Sequence, residues 1–496
     1  MNRRQFLGSL GIGLSSLIMS RCSRDSKRKP GSVDTDANQD RPNIVFIMAD
    51  DMGYGDPGCY NPQSRTPTPN IDKLASEGVR FTHAHAPGAW CVPSRYGLLT
   101  GRYPFRVDLS KQKVQSLIDP GRMTIGSLLQ QNGYHTGCVG KWHLGFDVGR
   151  NPDYSKPLTG GPVDKGFDSF FGIHASLDIP PYYFIKNDHC VAAPTEQIGP
   201  SNSDGWTYIQ GAFWRAGAIA RGFSHEDVLP VFTDRAVNFI ESSQKGLENK
   251  PFFLYFALPA PHTPWLPTRK FQGSSDAGMY GDFVKQVDQS VGRILDTLNR
   301  LGIGENTLCF FTSDNGPVWF EEDVERFHHR SSHFLKGMKA DNWEGGHRMP
   351  FIARWPGHIP GESICDETIC FTDMMATFAA VLDVRLPENA GEDSYNILPA
   401  LLGKQGGQPI REATVIGENV IISGNWKLIL GSGMGNLTRR YEKAYTKVEK
   451  ELKPEGELYD LKKDPSENQN LFNKFPEKVE ELKSILSRYK KGKKSA

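Results

Sequence analysis

Residues Asn43 to Asp51 read NIVFIMADD. A strand with one wet face alternates apolar and polar residues, and this run does not. A continuous apolar stretch that ends abruptly in charge is the pattern of a strand covered on both faces in a mostly parallel sheet, with its polar residues at the carboxyl edge. Three other segments repeat it. Leu308 to Thr312 (LCFFT) is followed by Ser313-Asp314-Asn315-Gly316, Phe252 to Leu258 by Pro259-Ala260-Pro261-His262, and Thr136 to Val139 by Gly140-Lys141-Trp142-His143. Apolar residues at helical spacing lie between and around them, over Ile71–Glu77, Thr124–Gln131, Val231–Ser242, Met279–Arg300 and Thr372–Leu382. Strands alternating with helices predict an α/β domain, a large mostly parallel sheet flanked by helices on both faces. Ligands of such sheets sit beyond the carboxyl ends of the strands. Asp50-Asp51, Lys141 with His143, His262, and Asp314-Asn315 are therefore expected to meet at one site.

At 496 residues the chain is expected to hold two packed domains, one of them large. The catalytic part is read as 41–400. From 401 to 496 the pattern changes to short strands (Ala413–Ile422, Trp426–Leu430, Glu457–Leu461) and an amphipathic helix (Pro476–Lys490), a smaller antiparallel α+β subdomain. With 58 basic and 57 acidic residues the net charge is +1, so nothing global favours nucleic acid, and any preference for anions must be local. Phe6 to Ser20 is too short to span a bilayer comfortably. It follows Asn2-Arg3-Arg4-Gln5-Phe6-Leu7, which looks like a twin-arginine export signal over 1–22. The twin-arginine machinery is then a partner, and the expected location is periplasmic or cell-surface. Cys22 could carry a lipid, although Arg21 stands where a small residue is expected; 23–40 reads as a flexible tether. The eight cysteines are scattered with no CxxC pair. Cys309 reads as an inert buried thiol, and Cys365 and Cys370 as close enough to bridge in an oxidising compartment.

Cys91 to Arg102 reads CVPSRYGLLTGR. Cys91-Val92-Pro93-Ser94-Arg95, then Leu99-Thr100-Gly101-Arg102, resembles the active-site signature of the type I sulfatases, the formylglycine-dependent arylsulfatase and N-acetylgalactosamine-sulfatase group of the alkaline phosphatase superfamily. LKGMKADNWEGGHRMP (335–350) resembles that family's second long motif, and GELYDLKKDPSENQNL (456–471) its C-terminal end. The resemblance spans roughly Pro42 to Asn470. It implies an alkaline phosphatase-like fold and a sulfuric ester hydrolase acting on sulfate monoesters. For an exported enzyme the expected substrate is a sulfated carbohydrate, with aryl sulfates as surrogates. It implies that a formylglycine-generating enzyme oxidises Cys91 to an aldehyde whose hydrate is the nucleophile.

The chemistry gives those positions a reason. A sulfate monoester needs a cationic cradle, an in-line nucleophile and a proton for the departing alcohol. Adjacent acids such as Asp50 and Asp51 repel and are commonly solvated or holding a cation. With Asp314 and Asn315 they offer the hard oxygens a divalent ion prefers. By resemblance these four hold one calcium, with residue 91 completing its shell. Arg95 would fix the hydrate, Lys141 contact sulfate, His143 assist deprotonation, His262 bind sulfate and protonate the leaving alcohol, and Lys339 touch the bridging oxygen. Glu344-Gly345-Gly346 and Arg348 would brace the loop. Aromatic residues of Ile173–Phe184 and Trp265, Trp319 and Trp343 could line a sugar subsite or simply pack. The alternative enzyme is a phosphodiester or phosphonate monoester hydrolase of the same superfamily. A non-catalytic glycan binder is disfavoured by the intact Cys91, Arg95 and Lys141.

Overall fold

The computed structural model describes residues 41–245, 250–492 and 496. Residues 1–22 and 23–40, read above as export signal and tether, lie outside the described residues, Cys22 among them. Ten strands form the main sheet: β1 (Asn43–Asp50), β2 (Val79–His85), β3 (His135–Lys141), β4 (Ser169–Ile173), β5 (Ile185–Lys186), β6 (His189–Cys190), β9 (Phe252–Pro261), β10 (Thr307–Ser313), β11 (Arg348–Arg354) and β12 (Ser363–Cys370). β7 (Glu196–Ile198) and β8 (Gly217–Ile219) make a small separate ribbon. The order in the large sheet is β12-β2-β11-β10-β1-β9-β3-β4-β5-β6.

The pairs β10–β1, β1–β9, β9–β3 and β3–β4 are all parallel, whereas β11 runs antiparallel to both its neighbours. The four strands that end in candidate site residues are thus consecutive and co-directional. Their carboxyl ends share one edge, as the sequence predicts.

The unbroken apolar run of β1 has a physical cause. Ile44, Phe46 and Met48 enter one hydrophobic core, and Val45, Ile47 and Ala49 enter another on the opposite face. Alternate side chains go to opposite faces, so a strand with two dry faces must be apolar at every position. The first core is closed by helices Cys91–Thr100, Ile125–Gln131 and Met374–Val381, the second by Pro69–Ser76, Val228–Ser243 and Gly278–Arg300. Burial of one such Ile or Phe side chain is worth about 1.5–3 kcal/mol. The sheet is therefore a stiff platform for whatever its edge carries.

After residue 400 the chain forms the four-stranded antiparallel sheet β13 (Thr414–Ile416), β14 (Val420–Ser423), β15 (Trp426–Leu430) and β16 (Gly456–Asp460). The segment Ala413–Ile422, which reads as one strand, is in fact a hairpin. Gly417 adopts φ +58° and turns the chain, an angle only glycine takes without steric cost. Helix Pro476–Lys491 packs Val479, Leu482 and Leu486 on Val415, Ile421, Leu428 and Leu458. Tyr103 and Cys370 of the larger part enter the same core.

Cys365 and Cys370 are both free thiols. Five residues apart along β12 they stand about 16 Å apart at strand rise, well beyond disulfide reach, so the bridge that their closeness in sequence left open does not form. Cys309 is buried and free as anticipated. No helix among the described residues is long and apolar enough to cross a membrane.

Candidate active site

β1 delivers Asp50 at its last position, and Asp51 follows with φ +65°. That left-handed turn is sparsely populated for a non-glycine residue, though Asp tolerates it better than most. It stops the strand and lets two neighbouring carboxylates face one pocket. The pocket also holds Cys91 and His262, with ligand atoms of the four within 4.8 Å of one another.

Cys91 is the first residue of its helix, so its side chain lies at the end where backbone N–H groups are unpaired and the dipole is positive. Its Sγ is 3.5 Å from Asp50 Oδ1 and 3.8 Å from Lys339 Nζ. Arg95, one turn further along, donates from Nε and Nη2 to Asp314 Oδ2 at 3.1 and 2.8 Å and from Nη1 to the Lys141 carbonyl at 3.0 Å. Lys141, the last residue of β3, donates to Asp50 Oδ2 at 2.6 Å. Lys339 donates to both oxygens of Asp51 at 2.7 and 2.8 Å. His262 follows β9 with Nε2 3.6 Å from Asp51 Oδ2, while its Nδ1 contacts the Thr263 carbonyl.

His143 is set by a turn and not by the strand. Lys141 and His143 do not share an extended segment, because the strand ends at Lys141 and His143 has φ +59°. Its ring is nevertheless close enough to Lys141, Arg95 and Asp50 to feel their charge. Burial first, then Lys141 and Arg95, hold it well below the usual imidazole range, so it is neutral. Its buried Nδ1 has no hydrogen-bond partner.

All ten residues chosen from sequence meet here, but not in equal roles. Asp314 Oδ1 accepts from the Asp51 N–H at 3.2 Å and its Oδ2 from Arg95, so Asp314 stands beside Asp51 with its charge shared by the guanidinium. His262 joins the acids, as the strand ends predict. Trp265, Trp319 and Trp343 are core residues, two of them in a ring cluster with Trp206 and Tyr280. They are not free to stack on a ligand. The exposed tryptophan is Trp90, immediately before Cys91, which no periodicity singled out.

The donor set fits a hard divalent ion. Asp50 and Asp51 supply carboxylate oxygens, and Asn315 Oδ1 is buried with no partner while its amide donates to Asp51 Oδ1 at 2.6 Å. An orphaned buried carbonyl oxygen costs about 1–3 kcal/mol, which coordination would relieve. The acids also strain against each other. Burial and then repulsion by Asp50 push the Asp314 carboxyl up to about 6. For Asp50, burial acts upward but Lys141, His262, Arg95 and Lys339 outweigh it and hold it well below the carboxylate range.

The sign for metal binding follows. Cation and proton compete for the same carboxylates. As pH falls through about 6, Asp314 takes up a proton and the Arg95 pair weakens. A divalent cation at a thousandfold excess over its Kd should stabilise the fold by about 4 kcal/mol near neutral pH. That increment should shrink steadily between pH 7 and 5. Melting curves with calcium and with chelator at several pH values check it; an increment independent of pH contradicts the ligand set.

The thiol itself is informative. Burial pushes Cys91 up to about 12, against the pull of Lys141 and Lys339. Nucleophilic cysteines sit in surroundings that depress their pKa. This one stays protonated at neutral pH despite two lysines, so the site is built around residue 91 but not around a thiolate.

Comparison with known proteins identifies the family. The Sulfatase family model matches residues 42–384. The N-acetylgalactosamine-6-O-sulfatase of Bacteroides thetaiotaomicron is 34% identical, over 92% of this chain and 94% of its own length. The mouse N-acetylgalactosamine-6-sulfatase is 34% identical, over 74% of this chain and 68% of its own. A solved Bacteroides thetaiotaomicron structure, described as part of the metabolism of multiple glycosaminoglycans, superposes with TM-score 0.79 at 32% identity, over 91% of this chain and 100% of that one. With a buried cysteine facing paired acids and two lysines at the edge of a largely parallel sheet, and with that match over most of its length, the chain belongs to the sulfatase family and is a sulfatase of alkaline phosphatase-like fold.

Proposed function

We propose that this sulfatase removes the 6-O-sulfate of N-acetylgalactosamine in sulfated glycan fragments, using a formylglycine made from Cys91 and one calcium ion. The observation that carries the chemistry is the Cys91 thiol, buried between Asp50 and Lys339 and pushed up to about 12. As a thiol it is a poor nucleophile at neutral pH; as the substrate of a maturation enzyme it is in the right place. Support for the sugar comes from the relatives named for that activity and matched over two thirds or more of their length.

An aldehyde hydrate supplies two hydroxyls, one to attack sulfur and one to release sulfate afterwards, and calcium supplies positive charge beside them. Asp50, Asp51, Asp314 and Asn315 would hold the ion. The chain's own residues do the rest. Lys141 and Lys339 flank residue 91 and present fixed positive charge to sulfate oxygens. Burial lowers the Lys339 ammonium and Asp51 and Cys91 raise it, with the net effect upward, so it stays charged. Lys339 lies where it can meet negative charge growing on the bridging oxygen. His262 reaches into the pocket with Nε2 while Nδ1 is engaged by the Thr263 carbonyl, a geometry that can pass a proton to a leaving alcohol. Neutral His143 can accept a proton from residue 91 as the enzyme resets.

Two measurements test the proposal. Tryptic-peptide mass analysis of active enzyme should show the thiol at position 91 replaced by an aldehyde; an unmodified thiol in fully active enzyme overturns the mechanism. Turnover of 6-sulfated N-acetylgalactosamine should exceed that of its 4-sulfated isomer by about a hundredfold in kcat/KM, since a site that hydrogen-bonds one sugar edge rejects a misplaced group by at least that factor. Equal rates, or preference for the 4-sulfate, overturn the substrate assignment.

A further inference from the structure

Behind the active-site loops lies a second cluster of buried ionisable groups, His85, Glu344 and His347. Its ligand spacing would suit a metal, but it already contains a cation. Lys427, from β15 of the C-terminal sheet, has no exposed surface. Its Nζ lies 3.0 Å from Glu344 Oε1, 2.7 Å from Glu467 Oε1 and 3.1 Å from His347 Nε2. Burial and then Lys427 hold His347 low, at about 3, so that ring is neutral and accepts from the ammonium. An ion among the three ligands would have to displace that ammonium from Glu344 and His347.

What this tripod grips is the turn Glu344–His347, and that turn is wedged between the catalytic loops. The Gly316 N–H, next to Asn315, donates to the Gly346 carbonyl at 3.0 Å, and a Cβ on Gly316 would come 1.9 Å from the Gly345 carbonyl oxygen. On another side the Gly345 N–H donates to the Lys336 carbonyl at 2.7 Å, in the loop that carries Lys339. On a third the His347 carbonyl accepts from Ala86 N–H at 2.8 Å, in the segment leading to Cys91. Glu467 also accepts from the Glu344 backbone N–H at 2.6 Å. The approaches are backbone against backbone with no side chain to yield, so a shift of the turn must move Asn315 and Lys339.

We propose that Lys427 is a positioning residue for sulfate-ester hydrolysis: the C-terminal subdomain, through one buried ammonium, sets the spacing of Asn315, Lys339 and Cys91. The subdomain is then part of the catalytic device although none of its residues in this cluster touches the pocket. A displacement of about 1 Å distant from the chemistry can cost on the order of a hundredfold in rate.

A small aryl sulfate is the probe, because its turnover does not depend on the sugar assignment. Lys427→Met alone leaves two buried carboxylates short of a partner, so it is paired with Glu467→Gln to remove the uncompensated charge. The double variant is expected to recover most of the wild-type melting temperature yet to lose about ten- to a hundredfold in kcat with KM changed less than about threefold. Lys427→Arg keeps the charge but moves it with a longer, planar head group, and is expected to fold and to lose about tenfold in kcat. Calcium titration by calorimetry should show weakened affinity in both. Wild-type kcat in either folded variant, or kcat that returns in step with the melting temperature in the double variant, overturns the proposal.

Discussion

Replacing Cys91 with alanine should abolish turnover, by at least about 10⁴-fold in kcat, while leaving a folded protein. The expectation for kcat follows from removing the group that attacks, which costs up to about 10⁶-fold where nucleophile and base act as a unit. The expectation for folding follows from how little the sulfur holds. Its two polar contacts, 3.5 Å to Asp50 and 3.8 Å to Lys339, are long and weak. Losing them with one buried sulfur should cost about 1 kcal/mol. The oxygens of Asp50, Asp51 and Asn315 remain, so the calcium-dependent rise in melting temperature should persist. Near-normal rates in Cys91→Ala would remove the basis for the mechanism.

Loss of activity alone does not separate an aldehyde from a thiolate, and the pH profile does. With the thiol at about 12, a thiolate enzyme would gain about tenfold in rate per pH unit from neutrality to beyond pH 10. An enzyme whose residue 91 has been oxidised has no such thiol to titrate. Its profile should instead level off or fall in that range. A log-linear climb would point to an unmodified cysteine at work.

The site was legible because strand ends are written locally. Asp50-Asp51, Lys141, His262 and Asp314-Asn315 each follow an apolar run, and the order β10-β1-β9-β3 brings those ends to one edge. The helix that carries the signature starts at Cys91 itself, with Trp90 extended before it. The family motif supplied what spacing could not, the roles expected of Arg95 and Lys339. Three features were not legible. The turn at His143 depends on a positive φ that a Trp-His-Leu segment does not announce. The tryptophans at 265, 319 and 343 look alike in sequence whether they stack on sugar or pack in a core, and only burial decides. Lys427 sits on a short strand where a solvent-facing lysine is the ordinary expectation; its partner Glu344 is 83 positions away, and no local pattern records such a pair.

Arg95→Leu should be the most destabilising single change in the pocket, by about 3–5 kcal/mol, the usual consequence of stranding a buried charge. Arg95 is fully buried and its guanidinium is shared between Asp314, at 2.8 and 3.1 Å, and Asp50, at 3.9 Å. Without it, two carboxylates face each other with less to neutralise them, and Asp314, already at about 6, must rise further. The sign with pH is fixed by that direction. A carboxyl whose folded pKa lies above its unfolded value of about 3.9 destabilises the fold increasingly as pH rises from there through the folded pKa. The deficit of the variant should therefore be larger at pH 8 than at pH 5, the reverse of an ordinary acid-labile mutant. Calcium should narrow it by replacing some of the lost positive charge. Adding Asp314→Asn removes the stranded charge, so the double variant should be more stable than Arg95→Leu alone, a coupling of about 1–3 kcal/mol in urea unfolding. Additive losses would mean that Arg95 holds the helix by packing and not by charge, and that the acids of this site balance without it.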